Sequence, residues 1–209
     1  MYQRLIKPAL DFVMACVLIV LLSPILIIGF LLAGVDARRN PIFIHVRPGR
    51  DEKPIKLFKF RTMRDEYDSN GTQLTNLQRV TRIGRFLRMT SIDELPQLFN
   101  VLHGEISLVG PRPLQMWYLP HYTQEQRVRH QVKPGITGLA QVSGRNTLSW
   151  EEKFELDARY VRSVSFFLDV KILLLTCLKV FSSGEINSGN SNTMDAFVEK
   201  PKKKGQTEQ

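Results

Sequence analysis

Residues 12–35 carry no charged side chain, and this run restricts the fold more than any other feature of the chain. Bounded by Asp11 and Asp36, it exceeds the roughly twenty apolar residues that a helix needs to cross a bilayer. A cleaved signal peptide is the weaker alternative, because the run is long and Gly34-Val35-Asp36-Ala37-Arg38 is a poor cleavage site. Ser23-Pro24 interrupts the run at its middle. Pro24 has no amide to offer the carbonyl of Val20 and its ring collides there, so the sequence predicts a kink. The Ser23 hydroxyl is placed to satisfy backbone groups freed by the break. Arg4 and Lys7 precede the run, and Arg38, Arg39, Arg47 and Arg50 follow it. Such symmetric flanks give no crossing direction and favour both ends on the cytoplasmic face. Residues 1–36 are therefore expected to form a re-entrant helix, against the alternative of a single crossing with a tolerated proline.

The chain has a formal net charge of +9 and a pI of about 9.8, which directs attention to anionic partners: nucleic acid, lipid headgroups or phosphorylated substrates. Cys16 and Cys177 lie in apolar runs with neither metal-type spacing nor a disulfide framework, as in a reduced compartment. The expected fold is α+β and predominantly helical: a compact cytoplasmic domain over residues 37–182 with short strands and amphipathic helices at the membrane interface. Residues 183–209, rich in Ser, Gly and Asn and then Lys, read as a largely disordered tail. Alternation marks strands at residues 41–46 and 55–63, the second placing Leu57, Lys59 and Arg61 on one face. A helix is expected over residues 77–89, with Arg79, Arg82, Arg85 and Arg88 forming an oblique basic stripe. Residues 166–181 are apolar but interrupted by Asp169, Lys171 and Lys179, which suits a helix lying on the interface.

Inside this basic chain stands an acidic stretch, Thr90-Ser91-Ile92-Asp93-Glu94-Leu95-Pro96-Gln97. Ser91 and Glu94 match a capping box, but in that register Pro96 falls where a helix already needs an amide. A later start places Pro96 in the first turn and the carboxylates at a positive helix end. Spacing alone leaves cap and catalyst balanced. Further along, Gly110-Pro111-Arg112-Pro113 is a rigid corner that aims a guanidinium, and one of its Xaa-Pro bonds is a candidate for cis. Lys133-Pro134-Gly135-Ile136-Thr137-Gly138 leads toward Arg145; its glycines let backbone approach an anion, without matching a phosphate-loop motif. Asp157 lies in an amphipathic helix beginning near Trp150, either as a solvated charge or as a site carboxylate. His103, His121 and His130 show no ligand-like spacing.

These blocks, in this order with Lys59-Phe60-Arg61-Thr62-Met63 and the Ser-Pro break, resemble the small bacterial monotopic phosphoglycosyl transferases over residues 1–195. The likeness is greatest to the member that begins bacterial N-linked glycan assembly. The resemblance implies transfer of a sugar 1-phosphate from a UDP-sugar to undecaprenyl phosphate at the cytoplasmic face of the bacterial inner membrane. The sugar expected first is N,N'-diacetylbacillosamine. It also implies Mg²⁺ held by Asp93 and Glu94, with Asp93 becoming a covalent phosphosugar ester. Lys59, Arg88, Arg112 and Arg145 are the expected phosphate-holding residues, with Asp157 as a further substrate-binding position. The competing reading is a non-catalytic, membrane-tethered basic module binding anionic lipid or nucleic acid. Nucleic acid is disfavoured because the basic stretches lack interleaved stacking aromatics.

Overall fold

The computed structural model describes residues 1–37, 39–64, 74–144, 147–182 and 196–198. The chain is mostly helical, at 62%, with short strands. A π-helical turn at Tyr2–Ile6 leads into α1 (Lys7–Leu21), and α2 (Ser23–Ala37) follows after a single residue. The two halves are bent by 69°. As the chemistry of Pro24 requires, the Val20 carbonyl receives a hydrogen bond from Ser23 Oγ at 2.8 Å. Among the described residues no single helix is long and apolar enough to cross a membrane; the bent pair passes by length and composition. Phe12, Val17, Ile27, Ile28, Phe30 and Leu31 are exposed on its surface.

Polar anchors fix the bent pair to the rest of the fold. Lys7 Nζ lies 2.7 Å from Asp169, whose carboxylate also accepts from the hydroxyls of Tyr2 and Tyr160. Asp11 accepts from Ser107 Oγ at 2.7 Å and from the Leu108 amide at 3.1 Å. At the far end of α2, buried Asp36 pairs with Arg64 and accepts from the Thr81 hydroxyl.

Strands β1 (Ile42–Pro48) and β2 (Pro54–Phe60) form an antiparallel hairpin, paired Phe43 to Lys59, His45 to Leu57 and Arg47 to Ile55. Opposed residues share a face, so Lys59, His45 and Arg47 lie on one side with buried Leu57. Ile42, Phe58 and Phe60 occupy the other. Phe60 approaches α2 where Gly29 has no side chain; a Cβ there would sit 2.7 Å from the Phe60 ring.

The segment expected as one helix over residues 77–89 is instead α3 (Asn76–Arg79) and α4 (Arg82–Met89). Between them Val80 makes an antiparallel bridge to Met63, and Thr81 caps α4 by accepting from the Gly84 amide at 2.8 Å. The stripe therefore breaks: Arg79 Nε donates to the Arg64 carbonyl, while Arg82, Arg85 and Arg88 remain exposed on α4. After α5 (Gln97–Leu102), β3 (Ser107–Val109) pairs in parallel with β4 (Gly135–Thr137), and α6 (Gln124–Arg127) lies between them in sequence. α7 (Leu139–Ser143), α8 (Trp150–Ser163) and α9 (Phe166–Ser182) complete the fold. In α9, Ile172 and Asp169 are buried while Phe167, Leu174 and Leu178 are exposed, the two-sided pattern expected from the sequence. Beyond it, Phe197 packs among Tyr118, Tyr122, Trp150 and Phe154. The rest of the segment expected as a tail, residues 183–195 and 199–209, lies outside the described residues.

Candidate active site

α5 packs against β2 through Leu98, Val101 and Leu57, and one polar side chain fixes the joint. Fully buried Asn100 accepts from the Phe58 amide at 3.0 Å and donates to the Lys56 carbonyl at 2.7 Å, occupying the strand's free edge as a further strand would. The turn that enters α5 is thereby set beside Lys59. Ser91 adopts φ 56, reversing the chain after α4, and Ile92–Glu94 forms a 3-10 turn before Pro96 at the N-cap of α5. Ser91 makes no side-chain capping bond. Capping boxes do form at Thr123 with Gln126 and at Ser149 with Glu152, where no proline follows in the first turns.

Released from capping, Glu94 joins the cations. Its Oε1 lies 2.6 Å from Lys59 Nζ and 2.6 Å from Arg112 Nη2, and its Oε2 accepts from Arg112 Nη1 at 3.3 Å. This is a bidentate guanidinium contact with an ammonium on the same oxygen. Burial alone would raise the Glu94 carboxyl, but Arg112 and Lys59 outweigh it and hold the group well below the usual carboxylate range. Asp93 differs. It is buried, 9% exposed, and has no hydrogen-bond partner among the described residues. Burial and the neighbouring Glu94 charge push it up to about 6, against the opposing pull of Lys59, Arg88 and Arg112. One carboxylate is pinned and the other stands unengaged and more basic.

Arg88 sits on α4 with Nε donating to Thr62 Oγ1 at 2.8 Å, and its charge acts on Asp93. Gly84 makes that placement possible, since a Cβ there would come within 2.1 Å of the Thr62 carbonyl. Arg112 projects from a corner whose peptide bonds are trans; no cis bond occurs among the described residues. Asp157 is brought elsewhere. It is 3% exposed and pairs with Arg129 at 2.8 Å, and Arg129 Nη2 donates to the Arg112 carbonyl at 2.7 Å. Asp157 thus reaches the site through Arg129 and the backbone of Arg112, rather than standing among the cations around Glu94. Arg145 lies outside the described residues. The glycines at 135 and 138 serve close packing of chain on chain: a Cβ on either would come within 2.1 Å of Gly110 backbone.

Sequence reasoning missed Asn100 and Arg129. Neither belongs to a motif, and an asparagine that bonds a strand 44 residues away leaves no local signal. An apolar groove of about 560 Å³ is lined by Leu26, Phe30, Ile42, Phe58, Pro96 and Phe99 among others. It joins α2 to the second face of the hairpin and the start of α5. Asp93 and Glu94 offer hard oxygen donors, the kind that Mg²⁺ takes together with water and phosphate oxygens. Among the described residues no cluster of three or more His, Cys, Asp or Glu is placed to hold a metal.

The sequence profile of bacterial sugar transferases matches residues 2–183. EpsL of Bacillus subtilis (strain 168), an uncharacterized sugar transferase, is 52% identical over 188 residues, covering 90% of each chain. A UDP-glucose:undecaprenyl-phosphate glucose-1-phosphate transferase of Klebsiella pneumoniae is 45% identical over 82% of this chain and 39% of its own. An undecaprenyl-phosphate galactose phosphotransferase of Salmonella typhimurium is 37% identical over 83% of this chain and 40% of its own. The chain therefore spans about two fifths of these longer relatives and nine tenths of EpsL.

Proposed function

Because the chain belongs to the bacterial sugar transferase family, we propose that it transfers a sugar 1-phosphate from a UDP-sugar to undecaprenyl phosphate. The products are undecaprenyl-diphosphate-sugar and UMP. The observation that carries this reading is the unequal carboxylate pair, Asp93 unengaged and Glu94 held by Lys59 and Arg112. An unengaged, basic carboxylate inside a ring of cations suits attack on phosphorus better than it suits a solvated or capping role.

In the proposed sequence, Asp93 attacks the sugar-proximal phosphorus of the donor. The bond from that phosphorus to the UMP oxygen breaks, and UMP departs with the bonding electrons. An acyl phosphate to the sugar remains on Asp93. An oxygen of the acceptor phosphate then attacks the same phosphorus and restores the Asp93 carboxylate. Glu94 fixes Lys59 and Arg112 where phosphate charge is concentrated, and Arg88 faces the phosphates from α4. Asp93 and Glu94 would hold Mg²⁺, which would supply neutralisation of phosphate charge.

The apolar groove suits the first isoprene units of the acceptor, with its phosphate directed toward Asp93. In this reading the bent α1–α2 pair and α9 seat the protein monotopically on the cytoplasmic face of the bacterial inner membrane. The sugar proposed is N,N'-diacetylbacillosamine, which would place the reaction at the first membrane step of glycoconjugate assembly, that of an N-linked glycan. Glucose and galactose, named for the relatives, are the comparison sugars.

The test is release of UMP by purified protein given undecaprenyl phosphate, Mg²⁺ and each member of a UDP-sugar panel. Turnover with one or more sugars is expected, the diacetamido sugar fastest. Absence of UMP with every sugar contradicts the assignment.

A further inference from the structure

Lys59 and Arg112 share the single carboxylate of Glu94, and a further guanidinium acts on the same cluster. Arg47 stands on the same face of the hairpin as Lys59, two residues beyond His45 on β1. Its Nη2 donates to His45 Nδ1 at 3.2 Å, which orients the guanidinium and assigns the remaining imidazole proton to Nε2. The following residues, Pro48 and Gly49, line one crevice with Pro111, Arg112 and Pro113, so this strand end abuts the corner that aims Arg112. Burial lowers the Arg47 guanidinium to about 10, with Arg112 adding to the effect and Glu94 opposing it. Among the described residues no carboxylate lies within salt-bridge distance of Arg47, although it is half-buried. A half-buried guanidinium beside another, without an ion pair, costs free energy that an anion would recover.

The charge balance points the same way. Among the protein's own side chains, the cations Arg47, Lys59, Arg88 and Arg112 exceed the carboxylates Asp93 and Glu94 by two charges. The diphosphate of a nucleotide sugar carries about two negative charges and presents the paired oxygens that a guanidinium fork recognises.

We infer that Arg47, oriented by His45, binds the diphosphate of the nucleotide-sugar donor. The inference rests on the transferase reading above. It assigns to Arg47 the donor and not the acceptor, because Arg47 lies on the polar face of the hairpin and the apolar groove opens on the other face.

The experiment compares wild type, Arg47→Ala, Arg47→Lys and His45→Ala. UDP binding is measured by titration calorimetry, and UMP release with each substrate varied in turn. Arg47→Ala should weaken UDP binding and raise KM for the UDP-sugar about 10- to 100-fold, the cost of a lost hydrogen bond to a charged group. KM for undecaprenyl phosphate should be unchanged. Arg47→Lys should recover part of the loss, and His45→Ala should shift donor KM in the same direction by less. A merely structural role would lower the unfolding temperature and affect both substrates alike, which overturns the inference, as does unaltered UDP affinity. Should Arg47→Ala fail to fold, Arg47→Lys decides by the same two measurements. Wild-type protein that releases no UMP contradicts the transferase reading instead.

Discussion

Asp93 and Glu94 are adjacent in sequence and opposite in circumstance. Glu94 is held by Lys59 and Arg112, while Asp93 shares their field without touching either. Glu94→Gln removes the charge that holds both cations and should lower kcat/KM by about 100-fold or more, as loss of an electrostatic stabiliser does. Arg112→Lys keeps the charge but not the fork, and is expected to lose about 10- to 100-fold. Steady-state UMP release checks both. Asp157 is a different case, because its partner Arg129 is only 4% exposed in the main fold. Asp157→Ala strands that guanidinium and should cost about 3–5 kcal/mol by thermal or denaturant unfolding. At this scale the sequence exposed what was charged and rigid: the acid pair, Lys59, and Arg112 between two prolines. Pro96 was enough to weaken the capping box, and Ser91 indeed caps nothing. Which cation meets which carboxylate was not legible, since those pairings join residues 18 and 35 positions apart.

At the level of elements, the break at Ser23-Pro24 was legible to the atom: the proline frees the Val20 carbonyl and the serine hydroxyl takes it. The basic stripe was misread because periodicity alone ran through Val80-Thr81. There a bridge to Met63 and a threonine cap compete successfully with a continuous helix. Asp36 reinforces that break by accepting from the same threonine. Asn100 carries the joint between α5 and β2. Asn100→Ala leaves the Phe58 amide and Lys56 carbonyl without their partner and should destabilise the protein by about 1–3 kcal/mol. It should also lower activity in the folded fraction, since the Asp93–Glu94 turn is set by that joint. Chemical denaturation together with UMP release distinguishes the two effects.

Across the whole molecule, the hairpin has two unlike faces, and the proposed chemistry needs both. One carries Lys59, His45 and Arg47 toward the carboxylates; the other carries Ile42, Phe58 and Phe60 toward α2 and the groove. In the proposed reaction, a site so placed would meet water-borne nucleotide on one side and a lipid-borne phosphate on the other. The proposed placement has the bent pair return to the side it entered. Single cysteines in place of Tyr2 and Asn40, in a background without Cys16 and Cys177, should both be labelled from the cytoplasmic side; labelling from opposite sides contradicts re-entry. In the proposed mechanism Asp93 takes the phosphosugar before the acceptor does. The most direct test is a single turnover with UDP-sugar and Mg²⁺ but no undecaprenyl phosphate, followed by intact-protein and peptide mass spectrometry. One UMP released per active site and a mass increase of one sugar phosphate on Asp93 are expected, and neither in Asp93→Asn. UMP release that waits for the acceptor, or an adduct that persists in Asp93→Asn, would contradict it.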